Sequence, residues 1–264
     1  MKFSVVTVSY NSAAHIADTL KSVVAQTFPH FEHLIIDGAS KDGTLEIVNG
    51  LAHERLRLIS EPDGGIYNAM NKGLGLARGE YIIFLNSDDF FARPDALSLA
   101  ADRIGETGAD CIFGDTYFVG EDGVRRGGRC YSAKNWHPMW LRVGAMPPHP
   151  SMFVRRAALL EANGFDERFK IAADFDLIAR LILKRGASWT KLDAEITRFR
   201  AGGVSTGGLG AKARISAELA ASLRSLGQPC ASLAVLFRAP LKVAQWKKRQ
   251  SSLGAFPFFY SADE

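Results

Sequence analysis

Strand-like and helix-like segments alternate through the first hundred residues, and this alternation most restricts the folds open to the chain. Apolar segments at 3–8, 31–36 and 81–85 have the composition of buried strands. Each is followed by a segment whose apolar residues have helical spacing, and a repeated strand–helix order predicts a mostly parallel sheet with helices on both faces. The pattern further predicts a strand over 56–60 and helices over 13–25, 44–52, 66–77 and 95–104.

An acidic pair follows the strand at 81–85 directly, in the sequence Asn86-Ser87-Asp88-Asp89. In open α/β sheets, ligands bind beyond the carboxyl ends of the strands. Two adjacent carboxylates repel each other, so a shared cation would compensate their charge, and hard oxygen ligands suit Mg²⁺ or Mn²⁺. The alternative interpretation is a solvated, Asp-rich turn before the next helix.

Polar residues also end the first two strands. The first ends in Ser9, Tyr10 and Asn11, and the second ends in Asp37. In a parallel sheet these ends share one edge with the acidic pair. Asp37 is suited to accept a hydrogen bond from a nucleobase N–H, although an Asx turn would also explain it. Either Asn11 or the residue after it is predicted to cap the helix that follows.

Further polar candidates lie downstream. Asp174 precedes a segment with helical spacing, where it suits either a helix N-cap or a general base acting on an incoming hydroxyl. His149, between two prolines, is a loop residue, a metal ligand or an acceptor contact. Lys72 ends a glycine-containing run and would suit a diphosphate, and Arg198 and Arg200 lie in a loop that either closes over a diphosphate or has no binding role.

Composition is that of a soluble globular protein, with 264 residues, 47% of them hydrophobic and 23% charged. No apolar stretch is long enough to cross a membrane, and the first residues are predicted to form a strand rather than a signal peptide. Cysteines 111, 130 and 230 lack zinc-site spacing, which predicts free thiols and a cytoplasmic location.

The C-terminal part is basic. Residues 211–250 contain eight Lys or Arg and a single acidic residue, Glu218. Two helices are expected there, at about 209–226 and 231–249. The second mixes basic, apolar and aromatic residues, which favours either contact with an anionic membrane surface or packing as a cap helix. Because the positive charge is confined to this part, nucleic-acid binding is not expected.

Five segments, at 5–11, 37–44, 61–73, 86–89 and 164–177, together resemble the family 2 glycosyltransferases in order and approximate spacing. The resemblance covers about 3–205 and is closest to the bacterial branch that builds O-antigen, capsule and exopolysaccharide. It implies a GT-A fold, a Rossmann-like α/β sheet flanked by helices. The expected organisation is a catalytic domain at 1–208, with a nucleotide-sugar half at about 1–110 and an acceptor half at about 111–208. A basic helical extension is expected at 209–264.

The resemblance also implies residue roles. Asp88 and Asp89 match the metal-binding acidic element, whose first position is Asn86 here, and His149 is a further metal candidate. Asp174 matches the catalytic base, preceded by Ala173 where the family often has Glu. The residues expected to hold the nucleotide sugar are Thr7, Ser9, Tyr10, Asn11, Asp37, Lys72 and Asp88.

The implied reaction is an inverting, Mg²⁺- or Mn²⁺-dependent transfer of a sugar from a nucleotide-diphosphate sugar to a hydroxyl. The expected acceptor is a glycan, held on a lipid, in bacterial surface polysaccharide synthesis. Peripheral contact with the inner face of the cell membrane through 231–250 would bring the enzyme to such an acceptor. The alternatives are a nucleotidyltransferase, which should carry a Gly-rich basic loop after the first strand, and a non-catalytic nucleotide-sugar-binding protein.

Overall fold

The computed structural model describes residues 1–123, 129–200, 209–228, 231–235, 238 and 246–248. Their strands are β1 (Phe3–Ser9), β2 (Phe31–Asp37), β3 (Leu56–Ser60), β4 (Tyr81–Phe84), β5 (Phe90–Phe91), β6 (Cys111–Val119), β7 (Arg129–Tyr131), β8 (Met152–Arg155), β9 (Trp189–Arg200) and β10 (Trp246–Lys248). Their α-helices are α1 (Ile16–Val24), α2 (Thr44–Gly50), α3 (Ile66–Leu76), α4 (Ala96–Thr107), α5 (Arg156–Glu161), α6 (Ala173–Ala179), α7 (Leu209–Ser225) and α8 (Ala231–Ala234). The described strands form one mixed sheet with helices packed against it, which is the expected α/β class.

The first half of the sheet is parallel, in the order β3-β2-β1-β4. In this register Ser9 lies opposite Asp37, and Asp37 lies opposite Ser60. Strands β1 and β2 are buried along their whole length, which explains their largely apolar sequences. The last residues of three strands therefore lie side by side at one edge.

Beyond β4 the pairing becomes mixed. Strand β8 runs antiparallel to β4, with Ile83 opposite Phe153, and β6 pairs antiparallel with β8 and parallel with β9. Because β8 is antiparallel, the chain that leads into it runs beside the chain that leaves β4. The short 3₁₀ turn His149–Ser151 is thereby placed at the carboxyl end of β4, where the acidic pair begins.

Two local expectations are wrong. The helix expected over 231–249 begins as expected with α8 at Ala231–Ala234, but its expected end is the strand β10, which pairs antiparallel with β7, and most residues between the two lie outside the described ranges. The cap of α1 is His15, without a side-chain cap bond, whereas Asn11 bonds to another loop. Most of the segment expected to contact a membrane lies outside the described residues. In the described ranges, no helix combines the length and apolar character needed to cross a bilayer.

Helix α7 is part of the main core. Leu219 and Leu223 are buried in the same apolar cluster as Phe175 of α6 and Leu141. A serine on α7, Ser222, is fully buried and donates to the α6 carboxylate of Asp176 at 2.8 Å. The first segment of the basic C-terminal region therefore packs directly on the helix that carries Asp174.

Gly73 allows α3 to pack closely against the sheet. A Cβ atom at this position would lie 2.4 Å from Cγ1 of Val6 on β1, well inside contact distance. Gly75, two residues further along the same helix, has open space where a Cβ atom would lie, with nothing within 4 Å. The helix thus contains one glycine that packing requires and one that it does not.

We expect Gly73→Ala to lower the free energy of unfolding by about 1–3 kcal/mol, because the new methyl group must displace β1. Gly75→Ala is the matched control and should raise the free energy of unfolding by up to about 1 kcal/mol, since alanine favours a helix. Urea unfolding of both variants measures the difference. Equal effects at the two positions would contradict the close packing of α3 on β1.

Candidate functional site

Hydrogen bonds join the loops that leave the first, second and fourth strands. Asn11 donates its backbone N–H to the Ser40 hydroxyl at 2.8 Å and accepts from the Lys41 N–H at 3.0 Å through its side chain. The Ser12 hydroxyl lies 2.7 Å from the Ser87 hydroxyl in the loop of the acidic pair. Asn11 has a φ of 48°, a left-handed conformation that asparagine tolerates. Its role is therefore to join two loops, and no helix cap is involved.

Asp37 is fully buried at the end of β2 and is held by hydroxyl and amide donors. Its Oδ2 accepts from the Ser40 N–H at 2.9 Å and from the Ser60 hydroxyl at 2.8 Å, and its Oδ1 accepts from the Ser40 hydroxyl at 2.5 Å. A buried carboxylate with this many donors is fixed in place. Asp37 therefore shapes the loop that begins with Gly38.

The Tyr10 ring and the Asp63 carboxylate approach the backbone closely at Gly38. A Cβ atom at this position would lie 2.8 Å from Oδ2 of Asp63 and 3.2 Å from Cδ2 of the Tyr10 ring. The Tyr10 side chain is 67% exposed, so its ring borders solvent. An exposed aromatic ring and a carboxylate therefore lie beside the backbone at the ends of β1 and β2.

The acidic pair differs in exposure. Asp88 is half-buried, whereas Asp89 is 1% exposed, and its Oδ1 accepts from the backbone N–H of Arg200 at 3.3 Å. The Arg200 guanidinium donates to the Asp88 carbonyl oxygen at 3.1 Å and forms an ion pair with Asp18 of α1. The end of β9 therefore holds this loop against α1, and Arg200 does not form the exposed basic loop that the sequence suggested.

Burial is the main cause that raises the pKa of both carboxyl groups. For Asp89 the negative charge of Asp88 adds to burial, and its pKa lies well above the usual range. For Asp88 the effect of burial on the pKa is partly offset by backbone hydrogen bonding and by the positive charges of His15 and Arg200. Holding these two carboxyl groups together in a buried position therefore costs electrostatic free energy.

Several buried polar atoms at this edge lack a hydrogen-bond partner among the described residues: Ser9 Oγ, Asn86 Oδ1, Asp89 Oδ2 and His149 Nδ1. No group of three or more His, Cys, Asp or Glu in the described ranges forms a ready cation cage. Mg²⁺ and Mn²⁺ sites often use one or two carboxylates and take their other ligands from phosphates and water. The oxygen-rich edge around Asp88 fits such a partly open site.

Asp174 lies in the first turn of α6, with a side chain that is 16% exposed. Its Oδ1 accepts from the Tyr67 hydroxyl at 2.6 Å, and its Oδ2 lies 3.4 Å from Nε2 of His149. Burial and the Asp174 charge raise the Tyr67 pKa, which keeps the phenol protonated as a donor. Because His149 borders the carboxyl end of β4, Asp174 lies on the same edge of the sheet as the acidic pair.

Two of the expected donor-binding residues are occupied by contacts within the protein. Thr7 is 0% exposed inside β1, and its hydroxyl lies 3.0 Å from Nε2 of His33. Lys72 donates to the Pro62 carbonyl oxygen at 2.9 Å and pairs with Glu61 at 2.9 Å. Thr7 therefore belongs to the sheet interior, and Lys72 stabilises the run that precedes α3.

Tyr67 and Asp63 had no assigned role in the sequence. Tyr67 sits in the first turn of α3, and its partner Asp174 is more than a hundred positions away, so no local spacing indicates the contact. The Asp-Gly-Gly sequence around Asp63 marks a turn but not its approach to Gly38. Arg198 and Arg200, which the sequence placed in a loop, are instead buried residues of β9.

The fold and this edge define a GT-A glycosyltransferase, and comparison with known proteins supplies the family. Residues 4–160 match the model of Glycosyl transferase family 2. An uncharacterized glycosyltransferase of Mycobacterium tuberculosis (strain ATCC 25618 / H37Rv) is 35% identical over 184 residues, with 68% of each chain aligned. A PGL/p-HBAD biosynthesis glycosyltransferase of Mycobacterium bovis (strain BCG / Pasteur 1173P2) is 32% identical over 182 residues, or 67% of this chain and 68% of that protein. The chain belongs to family 2 of the glycosyltransferases.

Solved structures share the fold. The S. aureus TarS structure with UDP has a TM-score of 0.62 and 24% identity, and the match covers 84% of this chain and 65% of that one. The mannosyltransferase PcManGT from Pyrobaculum calidifontis, in complex with GDP-Man and Mn²⁺, has a TM-score of 0.64 and 19% identity, covering 92% and 73%. At these identities the two structures support the GT-A fold of the chain and nothing finer.

The raised pKa of Asp89 predicts how stability depends on pH. Its charge is harder to form in the folded than in the unfolded chain, so the free energy of unfolding should fall as pH rises from the ordinary carboxyl pKa of about 3.9 through the raised value. Asp89→Asn should reduce this fall, because the amide that replaces the carboxyl group does not titrate. Urea unfolding in EDTA from about pH 4 to about pH 7 measures it.

The control for this prediction is Asp102→Asn, which removes an exposed carboxylate from α4. Its pH profile should match that of the unmodified protein. If the pH profile of Asp89→Asn also matched that of the unmodified protein, ionisation of Asp89 in its buried position would not contribute to the pH dependence of stability.

Proposed function

We propose that the chain is an inverting glycosyltransferase that moves a sugar from a nucleotide-diphosphate sugar to an acceptor hydroxyl. Asp174 takes the acceptor proton, the hydroxyl oxygen bonds to the anomeric carbon, and the bond from that carbon to the diphosphate oxygen breaks. The nucleoside diphosphate leaves on the opposite face. One carboxylate suffices as base, because a single displacement forms no covalent sugar–enzyme intermediate.

The observation that carries this proposal is the placement of Asp174. Its carboxylate is held by Tyr67 and His149 at the same sheet edge as Asp88, although these residues are far apart in the chain. Tyr67 bonds one oxygen of the carboxylate, which leaves the other on the side of His149. A partly exposed, oriented carboxylate of this kind suits a general base that meets an acceptor arriving from solvent.

The side chains beside Gly38 support a place for the nucleotide. A base stacked on the exposed Tyr10 ring would meet the Asp63 carboxylate and backbone groups of the Gly38 loop. Asp37 would act indirectly, because its carboxylate holds this loop through the Ser40 and Ser60 side chains. Two structures with the same fold were solved with UDP and with GDP-Man, which supports a nucleotide-sugar donor.

A divalent cation is proposed at Asp88, the more exposed carboxylate of the pair. When bound, Mg²⁺ or Mn²⁺ would supply positive charge to the diphosphate leaving group. Asp89 would hold the loop through the hydrogen bond that it accepts from the Arg200 N–H, and it would add negative charge to the cation site. The Mn²⁺ in the PcManGT complex is consistent with this use of the fold. His149, paired with Asp174, is proposed to contact the acceptor side of the site and serves as the less favoured metal candidate.

The acceptor is proposed to be a glycan of a bacterial surface polysaccharide, carried on a lipid. The M. bovis relative bears the name PGL/p-HBAD biosynthesis glycosyltransferase, which supports a biosynthetic role. The basic C-terminal sequence would favour an anionic membrane surface at which a lipid-linked acceptor is found. The proposed location of the enzyme is the cytoplasm, peripheral to the membrane.

A donor panel tests the function as a whole. Purified protein with Mn²⁺ is incubated with UDP-, GDP- and dTDP-sugars and with glycan acceptors, both free and lipid-linked. We expect one donor to release its nucleoside diphosphate in the presence of acceptor, and NMR of the product to show the opposite anomeric configuration. Retained configuration would refute the single displacement, and absence of turnover with every lipid-linked acceptor would refute the proposed activity.

We expect Asp174→Asn to lower kcat by about 10³-fold or more, since the amide cannot accept the proton. Donor affinity should stay within about twofold of that of the unmodified protein, because the residue is proposed to face the acceptor. Steady-state kinetics and calorimetric titration of the donor measure the two quantities. The control is Asp102→Asn on α4, and near-normal turnover by Asp174→Asn would exclude its role as the base.

We expect Mn²⁺ to raise the Tm of the protein in the presence of a nucleoside diphosphate, because a ligand that binds only the folded state stabilises it. At a concentration of about 100 times the Kd, the gain is about 2.7 kcal/mol. Asp88→Asn should lose most of this gain, while Asp102→Asn should keep it. If Asp88→Asn kept the full shift, the cation would have to bind elsewhere.

A further inference from the structure

Glu218 of α7 binds the chain that leads into α6. Its carboxylate accepts from three successive backbone N–H groups: Ile171 at 2.9 Å, Ala172 at 3.0 Å and Lys170 at 3.1 Å. The first N–H groups of a helix have no partner within the helix and need acceptors from outside it. Ala172 is the residue at the N-cap position of α6 and offers no side-chain acceptor. Glu218, more than forty positions later in the sequence, accepts from the N–H of this N-cap residue and from those of the two residues before it.

The clamped segment is the one that fixes Asp174. The carbonyl oxygen of Ile171 lies 2.8 Å from the Tyr67 hydroxyl, the same hydroxyl that donates to Asp174 at 2.6 Å. Asp174 itself follows only two residues after the last amide bound by Glu218. The negative charge of Glu218 also contributes to the raised pKa of Tyr67. Movement of residues 170–172 would therefore move both the carboxylate and its donor.

We infer that Glu218 is a positioning residue, which holds Asp174 in its reactive orientation by clamping the backbone of residues 170–172. The inference rests on the proposed function, in which Asp174 is the base. It also gives the basic C-terminal region a part in the site. Glu218 is the single acidic residue among eight basic ones between 211 and 250, and it faces the catalytic part of the chain.

A second contact between the same two helices provides the matched control. Ser222, one turn beyond Glu218, donates to Asp176 at 2.8 Å, and Asp176 pairs with Arg180 at 2.6 Å. This contact joins α7 to α6 but does not touch the segment before Asp174 or Tyr67. Removing it should loosen the helix packing without releasing the clamp.

The test compares Glu218→Ala and Glu218→Gln with Ser222→Ala and with Arg214→Gln, an exposed charge change on α7. We expect Glu218→Ala to lower kcat by about 10²-fold, because small misplacement of a reacting group has effects of this size. The donor KM should change by no more than about twofold. The kcat of Glu218→Gln, which keeps one acceptor oxygen, should lie between that of Glu218→Ala and that of the unmodified protein. Ser222→Ala should lower Tm while keeping kcat within about twofold.

Hydrogen exchange of the amides at 170–172 gives a readout that needs no substrate. These amides should exchange faster in Glu218→Ala than in the unmodified protein, and should be unaffected in Ser222→Ala and Arg214→Gln. Unchanged exchange would refute the clamp. Faster exchange in Glu218→Ala with an unchanged kcat would refute the positioning role. The role would also be refuted if Ser222→Ala lowered kcat as much as Glu218→Ala does at the same loss of Tm.

The two proposals fail in different ways. If Asp174→Asn remains active, the assignment of the base fails, whereas the exchange experiment still decides whether Glu218 clamps residues 170–172. If Asp174→Asn is inactive and Glu218→Ala is fully active, only the inference about Glu218 fails.

Discussion

The parallel pairing of β1 with β2 and β4 is the constraint on which the site depends. The register of this pairing places Ser9 beside Asp37 and brings the chain that leaves β4 to the same edge of the sheet. Three polar loops must then share a small volume, and hydrogen bonds join them, as between the Ser12 and Ser87 hydroxyls. The loops are consequently ordered by one another before any ligand binds, which lowers the entropy cost of forming a binding site.

That order has an electrostatic cost at the acidic pair. Asp89 is buried, its pKa is raised, and one of its oxygens has no partner among the described residues. The backbone N–H of Arg200 and the ion pair of Arg200 with Asp18 hold the loop in spite of this cost. A site that keeps two carboxylates together at the expense of stability is typical of functional positions, where geometry matters more than stability.

The proposed acceptor side is assembled from segments that are distant in the chain. Tyr67 comes from α3, His149 from the turn before β8, and Asp174 from α6. Helix α7 adds Glu218 and packs apolar residues into the same core. The basic C-terminal region therefore begins as a structural part of the catalytic unit. Its proposed membrane contact concerns residues further along, most of which lie outside the described ranges.

The sequence by itself determined the α/β class, the parallel first half of the sheet and the family, because strand composition, helical spacing and the order of short polar motifs are local properties. It also indicated Asp37, Asp88, Asp89 and Asp174 as the acidic groups of interest. Only the tertiary structure decided what these groups touch. The mixed second half of the sheet, the pairing of Tyr67 with Asp174 and the clamp by Glu218 all join residues far apart in the chain. Local sequence patterns contain no information about such contacts, since packing of the whole core selects them.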